Sequence, residues 1–414
     1  MISTAPVRPA QEYRRARGAV AALFLTNGAL VANILPRYPE IKAALGLDAS
    51  AYGLAVAAFP TGAIVVGPVA ALLIRRYGSG PVAVAGTILT GLGVLVAGLA
   101  PVEWLFALGL FVGGAMDAIT DVAQNAHGLR VQRHYGRSII NSFHAVWSIG
   151  AVLGGSMAAA AIALRLPLGV HLTISGVIFS AVSLVALRFC LPGREEDAGT
   201  GDPDEDAIAD TSEIRTSLGA GVPPRVVAVL AALVLIAVAG TVVEDAGNSW
   251  ATLYLSDSVG ASAELAATGY IALVGAQFVG RLIGDGLVDR FGQRAVARVG
   301  GVIAAGGMGL ALGFPSVPGT ILGFAAAGLG VATLVPAAMH EADELPGLRH
   351  GSGLTIVSWL LRLGFLLSPP LVGLVADHAG LRIGLLSIPI AGVLVILLAG
   401  VLPGRRNPTR ERVA

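Results

Sequence analysis

Twelve stretches of roughly twenty predominantly apolar residues recur along the 414-residue chain, and no other property narrows its possible folds as far. They lie near 18–37, 50–74, 81–100, 103–129, 139–164 and 168–190, then near 225–255, 263–288, 294–313, 318–340, 352–377 and 382–402. In hydrocarbon every backbone N–H and C=O must find its partner inside the protein, so a run of this length resolves into a helix. Only 13% of residues are charged, against about 25% in soluble proteins, and the mean hydropathy is +0.78. The 56 glycines suit helices that approach closely in lipid. The fold class is therefore all-α polytopic membrane protein. Residues 8–17 followed by 18–35 have the outline of a signal peptide, but the apolar part exceeds a typical h-region and no clear small-residue cleavage site follows. An uncleaved first helix is expected.

Six segments precede and six follow a stretch of different character. Between them Glu195, Glu196, Asp197, Asp202, Asp204, Glu205, Asp206, Asp210 and Glu213 stand among Gly, Thr, Ser and Pro, a composition that cannot bury a core. The expected organisation is an N-tail 1–17, an N-terminal six-helix half 18–190, an acidic linker 191–224, a C-terminal six-helix half 225–403 and a C-tail 404–414. About 21 of the 27 basic residues fall in the tails, the linker and alternate loops, against about four (Arg37, Lys42, Arg165, Arg382) on the other side. By the positive-inside rule both termini and the linker are cytoplasmic, in an inner membrane.

Several function classes drop out. A net charge of +1 with scattered basic residues does not describe a nucleic-acid surface. A single cysteine, Cys190, excludes an intramolecular disulfide and any Cys-based metal or redox motif. There is no Walker loop, no dinucleotide fingerprint in a βαβ setting and no His-x-x-x-His pair, so an enzyme, a metal site, a cofactor and an ATP-driven pump are not expected.

The two halves repeat. Arg76-Tyr77-Gly78 after the second segment corresponds to Arg290-Phe291-Gly292 after the eighth, an offset of about 214 residues that also superimposes the first segment of each half. The loop Asp289-Arg290-Phe291-Gly292-Gln293-Arg294 resembles the Asp-Arg-x-Gly-x-Arg signature of the major facilitator superfamily, with Asp285 in place of the signature's first glycine. The first-half loop keeps Arg76 and Gly78 but has Arg75 where the acid is expected. The resemblance covers nearly the whole chain. It implies a major facilitator fold of twelve transmembrane helices in two six-helix pseudo-symmetric halves, with a substrate site near the midplane. It also implies that Arg76, Arg281, Asp285, Asp289 and Arg290 serve a cytoplasmic gate of exchangeable ion pairs. The structural alternative is a static charge cluster at the interface.

Within the fourth segment, residues 116–130 place Asp117, Asp121 and Asn125 four apart, on one helical face. A carboxylate at membrane depth costs at least about 2.5 kcal/mol, so it faces a cavity, a partner or an ion pathway. Drying disfavours the charged form of any carboxyl, so an acid whose surroundings alternate between wet and dry takes up and returns a proton. The fifth segment adds Asn141, His144, Trp147 and Ser148; His144, with an ordinary imidazole titrating near neutrality, is a candidate relay partner. The strings MDAITDVAQNAHGLRV and NSFHAVWSIGAVLGG resemble helices four and five of the fucose/proton symporter group, in which an acid followed four residues later by Asn serves proton coupling. The matching positions are Asp121 and Asn125. Ala126 stands where the sugar symporter has Pro, and His144 and Trp147 stand where it carries amides, so proton coupling follows from the resemblance and fucose as substrate does not. Helix–helix hydrogen bonding is the structural alternative for Asp117, Asp121 and His144.

The second half contributes Glu244, Asp245, Asn248 and Trp250 in its first segment. Glu244 and Asn248 share a face and Asp245 points about 100° away, so at most one acid looks straight into a cavity. One of the two is expected to pair with Arg362, the basic residue deep in the eleventh segment, which is otherwise an anion anchor or snorkels to an interface. Asn27 and Asn33 in the first segment and Gln277 in the eighth could orient a polar ligand. Trp147, Trp250 and Trp359 offer flat faces or simply pack. The reading is a monomeric secondary active transporter driven by the proton gradient, without a cofactor, moving a small solute by symport. Drug/proton antiport is the alternative, and Gly150-Ala151-Val152-Leu153-Gly154-Gly155 lacks the proline-containing pattern common there. A non-transporting sensor or lipid-handling protein on the same fold is the alternative of another class.

Overall fold

The computed structural model describes residues 10–135, 139–193, 223–346, 348 and 352–404. Most of the acidic linker, the end of the C-tail, Arg137 and Arg349 lie outside the described residues. Those described are helical throughout, in twelve helical spans: α1 Gln11–Leu45, α2 Ala49–Tyr77, α3 Ser79–Gly98, α4 Glu103–Tyr135, α5 Ser142–Ala163, α6 Leu168–Leu187, α7 Pro224–Ser258, α8 Ala263–Phe291, α9 Gln293–Gly313, α10 Val317–Asp343, α11 Ser352–Ala379 and α12 Leu381–Val401. Several spans are interrupted. In α1 the α-helix stops at Ala32 and resumes at Tyr38 after the 3-10 turn Leu35–Arg37, which contains Pro36. α11 breaks at Leu361, whose carbonyl accepts from Thr241 Oγ1 of α7 at 3.0 Å.

The chain packs as two compact units. Met1–Ile34 with Ala58–Pro203 forms one, and Leu35–Ala57 with Asp204–Ala414 forms the other. By the sequence repeat Leu35–Ala57 belongs to the first half; by packing it joins the second unit.

In the first unit α1 packs on α5 and α6, α3 on α4 and α6, and the part of α2 after Ala58 on α4. These contacts depend on missing side chains: a Cβ at Gly28 would strike the Trp147 carbonyl, and one at Gly114 the Phe59 carbonyl. Leu23, Ala83, Ile119 and Ala123 form one buried cluster, and Val20, Phe24, Val131 and Phe143 a second. In the second unit α7 packs on α11 and α12, α8 on α10, and α9 on α10 and α12, while Ala49–Val56 lies along α11.

The repeat is visible in backbone geometry. Gly78 caps α2 at φ 85°, ψ 151°, and Gly292 caps α8 at φ 83°, ψ 153°, a region in which an L side chain is strained. The preceding residues match as well, with the Arg76 guanidinium 5.3 Å from the Tyr77 ring centroid and that of Arg290 5.3 Å from Phe291. A third glycine, Gly380 after α11, adopts the same conformation at φ 87°, ψ 153°.

Candidate functional site

In the first unit the helical period of α4 sets Asp117, Asp121 and Asn125 on successive turns, and the structure gives the two acids different surroundings. Asp117 is half-buried and its Oδ1 accepts from Asn27 Nδ2 of α1 at 2.7 Å. Asn27 Oδ1 in turn accepts from Trp147 Nε1 of α5 at 2.7 Å. The indole can only donate and the carboxylate accepts, so the orientation of the Asn27 amide is determined and three helices are tied together. Asp121 is exposed. Asn125 Nδ2 donates to its Oδ1 at 3.0 Å and to its backbone carbonyl at 2.8 Å, and Gln124 Nε2 approaches Oδ1 at 3.4 Å. His144 is exposed on α5, edge-on to Phe24 with centroids 5.2 Å apart. The side chain of Asn141 lies outside the described residues.

Other polar groups of this unit bond to one another or to its backbone. Asn33 Oδ1 is 2.8 Å from His171 Nε2 and accepts from Ser175 Oγ at 2.9 Å, inside the α1–α6 contact. His127 Nε2 accepts from the Leu191 N–H at 3.1 Å while Nδ1 faces Ser79 Oγ at 2.8 Å, and Arg130 donates to the carbonyls of Pro192 and Gly193. The end of α4 thus grips the chain where it leaves α6.

The second unit centres on α7. Glu244 Oε2 accepts from Gln277 Nε2 of α8 at 2.7 Å and lies 3.7 Å from Arg281 Nη2. The pairing of a helix-seven acid with Arg362 expected above is not formed, because Gln277 and Arg281, one turn apart, present their donors to α7 instead. Arg362 is exposed just past the break in α11. The shared face of Arg281, Asp285 and Asp289 likewise does not become one charge cluster. Among the described residues the ion pair of Arg281 runs to Glu244, whose side chain is 16% exposed, and Asp285, Asp289 and Arg290 face outward. The less hydrated acid gives the stronger pair.

Asp245, one residue along, is buried at 8% exposure, with Ser249 and Ser368 within hydrogen-bonding reach and Oδ2 without a partner among the described residues. Tyr38 and Tyr52 lie near enough to feel its charge, and Tyr38, Tyr52 and Trp250 form an edge-to-face series, with centroids 5.7 Å apart for Tyr38 and Tyr52 and 4.9 Å for Tyr52 and Trp250. Tyr52 Oη donates to the Ser249 carbonyl at 2.7 Å. Trp250 is thus a packing residue at 1% exposure, whereas Trp359 is 40% exposed; the Oδ1 of half-buried Asn248 has no partner among the described residues.

Sequence reasoning passed over Tyr38, Tyr52, Gln124 and a carboxylate at the end of α11. Asp377 accepts from the backbone N–H groups of Ala49 and Ser50, each at 2.8 Å, and from Ser50 Oγ, so it holds the first turn of α2. Asp48 supplies the adjacent cap, accepting from the Ala51 N–H at 2.7 Å. The signal was present: Gly373, Asp377, Gly380 and Arg382 repeat the spacing of the loop at 289–294, complete with the glycine that the earlier copy lacks. A Cβ at Gly373 would strike the Ala49 carbonyl, so this glycine lets α11 approach α2. His340, Glu341 and Glu344 have ligand atoms close enough for a cation, but the residues are exposed or half-exposed, and His340 and Glu344 are 3.7 Å apart as an i,i+4 pair at the end of α10.

Comparison with known proteins agrees with this architecture. Residues 20–285 and 246–414 match the profile of the Major Facilitator Superfamily. A protein of Sinorhizobium fredii named "Uncharacterized transporter y4wD" is 29% identical over 92% of this chain and 97% of its own. The fold is similar to that of a D-xylose-proton symporter at TM-score 0.70, 17% identity and coverage of 94% and 98% of the two chains. It is also similar to FucP in the outward conformation, at TM-score 0.58, 18% identity and coverage of 94% and 99%. With the profile spanning both halves, twelve spans and a transporter-named relative over nearly its full length, the chain belongs to the major facilitator superfamily, as a multi-pass membrane transporter rather than an enzyme.

Proposed function

We propose that this transporter imports a small polar or amphipathic solute across the cytoplasmic membrane by proton symport, as a monomer with both termini in the cytoplasm. Alternating access by the two six-helix halves, 18–190 and 225–403, is the working cycle, with the linker 191–224 as tether. Asp121 is the principal proton carrier. The observation that carries this reading is the contrast on α4: Asp117 bridges to α1 through Asn27, whereas Asp121 is exposed, with the amides of Asn125 and Gln124 against its carboxyl. The acid-plus-asparagine step at Asp121 and Asn125 resembles that of the fucose/proton symporter group, and the fold neighbours include a D-xylose-proton symporter. His144 is the relay candidate across from α4, and Asp117 holds the network in register. Solute contacts are assigned to Asn27, Asn125, Asn141 and Trp147 in the first half and to Glu244, Asn248, Gln277, Trp359 and Arg362 in the second. The exposed Arg76, Asp285, Asp289 and Arg290, with Arg281, make up the cytoplasmic gate, where ion pairs near water exchange at little cost.

The test uses sealed proteoliposomes. Asp121→Asn should abolish solute accumulation driven by a pH step while sparing exchange of solute between the two sides, because an amide keeps the hydrogen bonds and loses the proton. Driven accumulation that survives the substitution would refute Asp121 as the coupling acid. Uptake partners come from a thermal-shift screen of metabolites on the purified protein.

A further inference from the structure

Asp245 has no part in the reading above, yet it sits in the least hospitable place for an acid in the second unit. It is 92% buried, since only 8% of its surface is exposed, and its Oδ2 has no hydrogen-bond partner among the described residues. Groups from each of the elements packed around it face it. Tyr38 and Tyr52 come from Leu35–Ala57, Ser368 from α11, and Glu244 and Ser249 from α7 itself. Tyr270 of α8 feels Glu244 and Tyr38, and Asp257 at the end of α7 acts on Tyr52. None of these is a cation, and Arg281 is engaged by Glu244. An ionised carboxylate there would have two serine hydroxyls but no cation, and one bare oxygen, to set against its lost hydration.

We infer that Asp245 is a second proton-binding site of the transporter, occupied while Tyr38 and Tyr52 cover it and open to water when Leu35–Ala57 leaves the second unit. The proton forms an O–H bond at the carboxylate, taken from hydronium on the side to which the site opens and returned to water as the acid ionises. A proton needs only one acceptor, and Oδ2 is one that has no hydrogen-bond partner among the described residues. The cover is held by a specific bond, from Tyr52 Oη to the Ser249 carbonyl at 2.7 Å, one helical turn beyond Asp245, and by the edge-to-face contact of Tyr52 with Trp250. The same segment is fastened a second time by Asp377, on the first turn of α2. The cover is therefore latched to both α7 and α11 while it is docked and opens the site only when these latches release, which is what a gated ion site requires. This rests on the proposal that the solute moves with protons, and extends it from one acid to two.

The test is infrared difference spectroscopy on the purified full-length protein at pH 7. A protonated-carboxyl C=O band should be present, should be lost in Asp245→Asn, and should persist in Asp121→Asn; replacing potassium by sodium should not alter it. Persistence of the whole band in Asp245→Asn, or its loss on adding sodium, overturns the assignment. Tyr52→Phe is the second variant, informative even if Asp245→Asn does not fold. By removing the bond to Ser249 it should speed deuterium exchange of the band about tenfold or more, and an unchanged exchange rate overturns the gating by Tyr52. Failure of the symport reading shows up separately, as pH-driven uptake that survives Asp121→Asn, and leaves the infrared result to be judged alone.

Discussion

The docking of Leu35–Ala57 on the second unit makes a quantitative prediction through Gly53. This residue is buried against α11, and a Cβ placed there would lie 2.9 Å from the carbonyl carbon and 3.0 Å from the Cα of Pro369 and Pro370 respectively. Both are backbone atoms of a helix, so neither can rotate away. To reach ordinary contact the two backbones must part by about 0.5 Å or more, an overpacking that costs about 1–3 kcal/mol. Spent against the docked state alone, that is about 5–150-fold in the docking equilibrium. The assay is thiol labelling of Ala55→Cys, a position only 3% exposed while the segment is docked. Background is low because the native Cys190 lies past α6 and burial pushes its thiol up to about 11. At pH 7 about one ten-thousandth of it is thiolate, and the thiolate is the reactive form. In Gly53→Ala the reporter should label about 5–150-fold faster. Gly62→Ala is the control: its added methyl meets the Phe111 carbonyl inside the first unit, so it should lower thermal stability without speeding the label. Equal labelling of the Gly53→Ala and parent reporters, or equal acceleration by both glycine substitutions, would refute the reasoning.

Two further substitutions probe the polar contacts. Asp377→Ala removes the acceptors of the Ala49 and Ser50 N–H groups; the site is exposed and Asp48 still caps the helix, so the loss should be about 1 kcal/mol and the Ala55→Cys reporter about fivefold faster, with no change meaning that the carboxylate does not hold the segment. Asn27→Ala leaves Asp117 and the Trp147 indole each without its partner, which should cost about 1–3 kcal/mol and shift the fluorescence of Trp147. A double-mutant cycle with Trp147→Phe should then give a coupling energy of at least about 0.5 kcal/mol, and strict additivity would show the network to be energetically idle.

Much of this molecule is legible in one dimension. Twelve apolar runs dictate twelve helical spans, because a run of about twenty apolar residues satisfies its backbone in hydrocarbon as a helix. The repeat of Arg76-Tyr77-Gly78 at Arg290-Phe291-Gly292 is a local property, and it reappears as the same glycine dihedrals and the same cation-over-ring distance. The four-residue spacing of Asp117 and Asp121 is likewise helical geometry and needs no neighbour to be read. Partner choice is different. Asp117 meets Asn27 across 90 residues and Asp377 meets Ala49 across 328, and each meeting depends on how two helices are rotated and how closely glycine lets them come. That is why Glu244 turns to Gln277 and Arg281 rather than to Arg362, and why Leu35–Ala57, first-half by sequence, packs with the second unit. The sequence by itself determined that the chain crosses a membrane in two related sets of six and that it carries acids at depth. Only tertiary packing decided which acid is tied, which is exposed and which is sealed, because burial and hydrogen bonding belong to the space between helices.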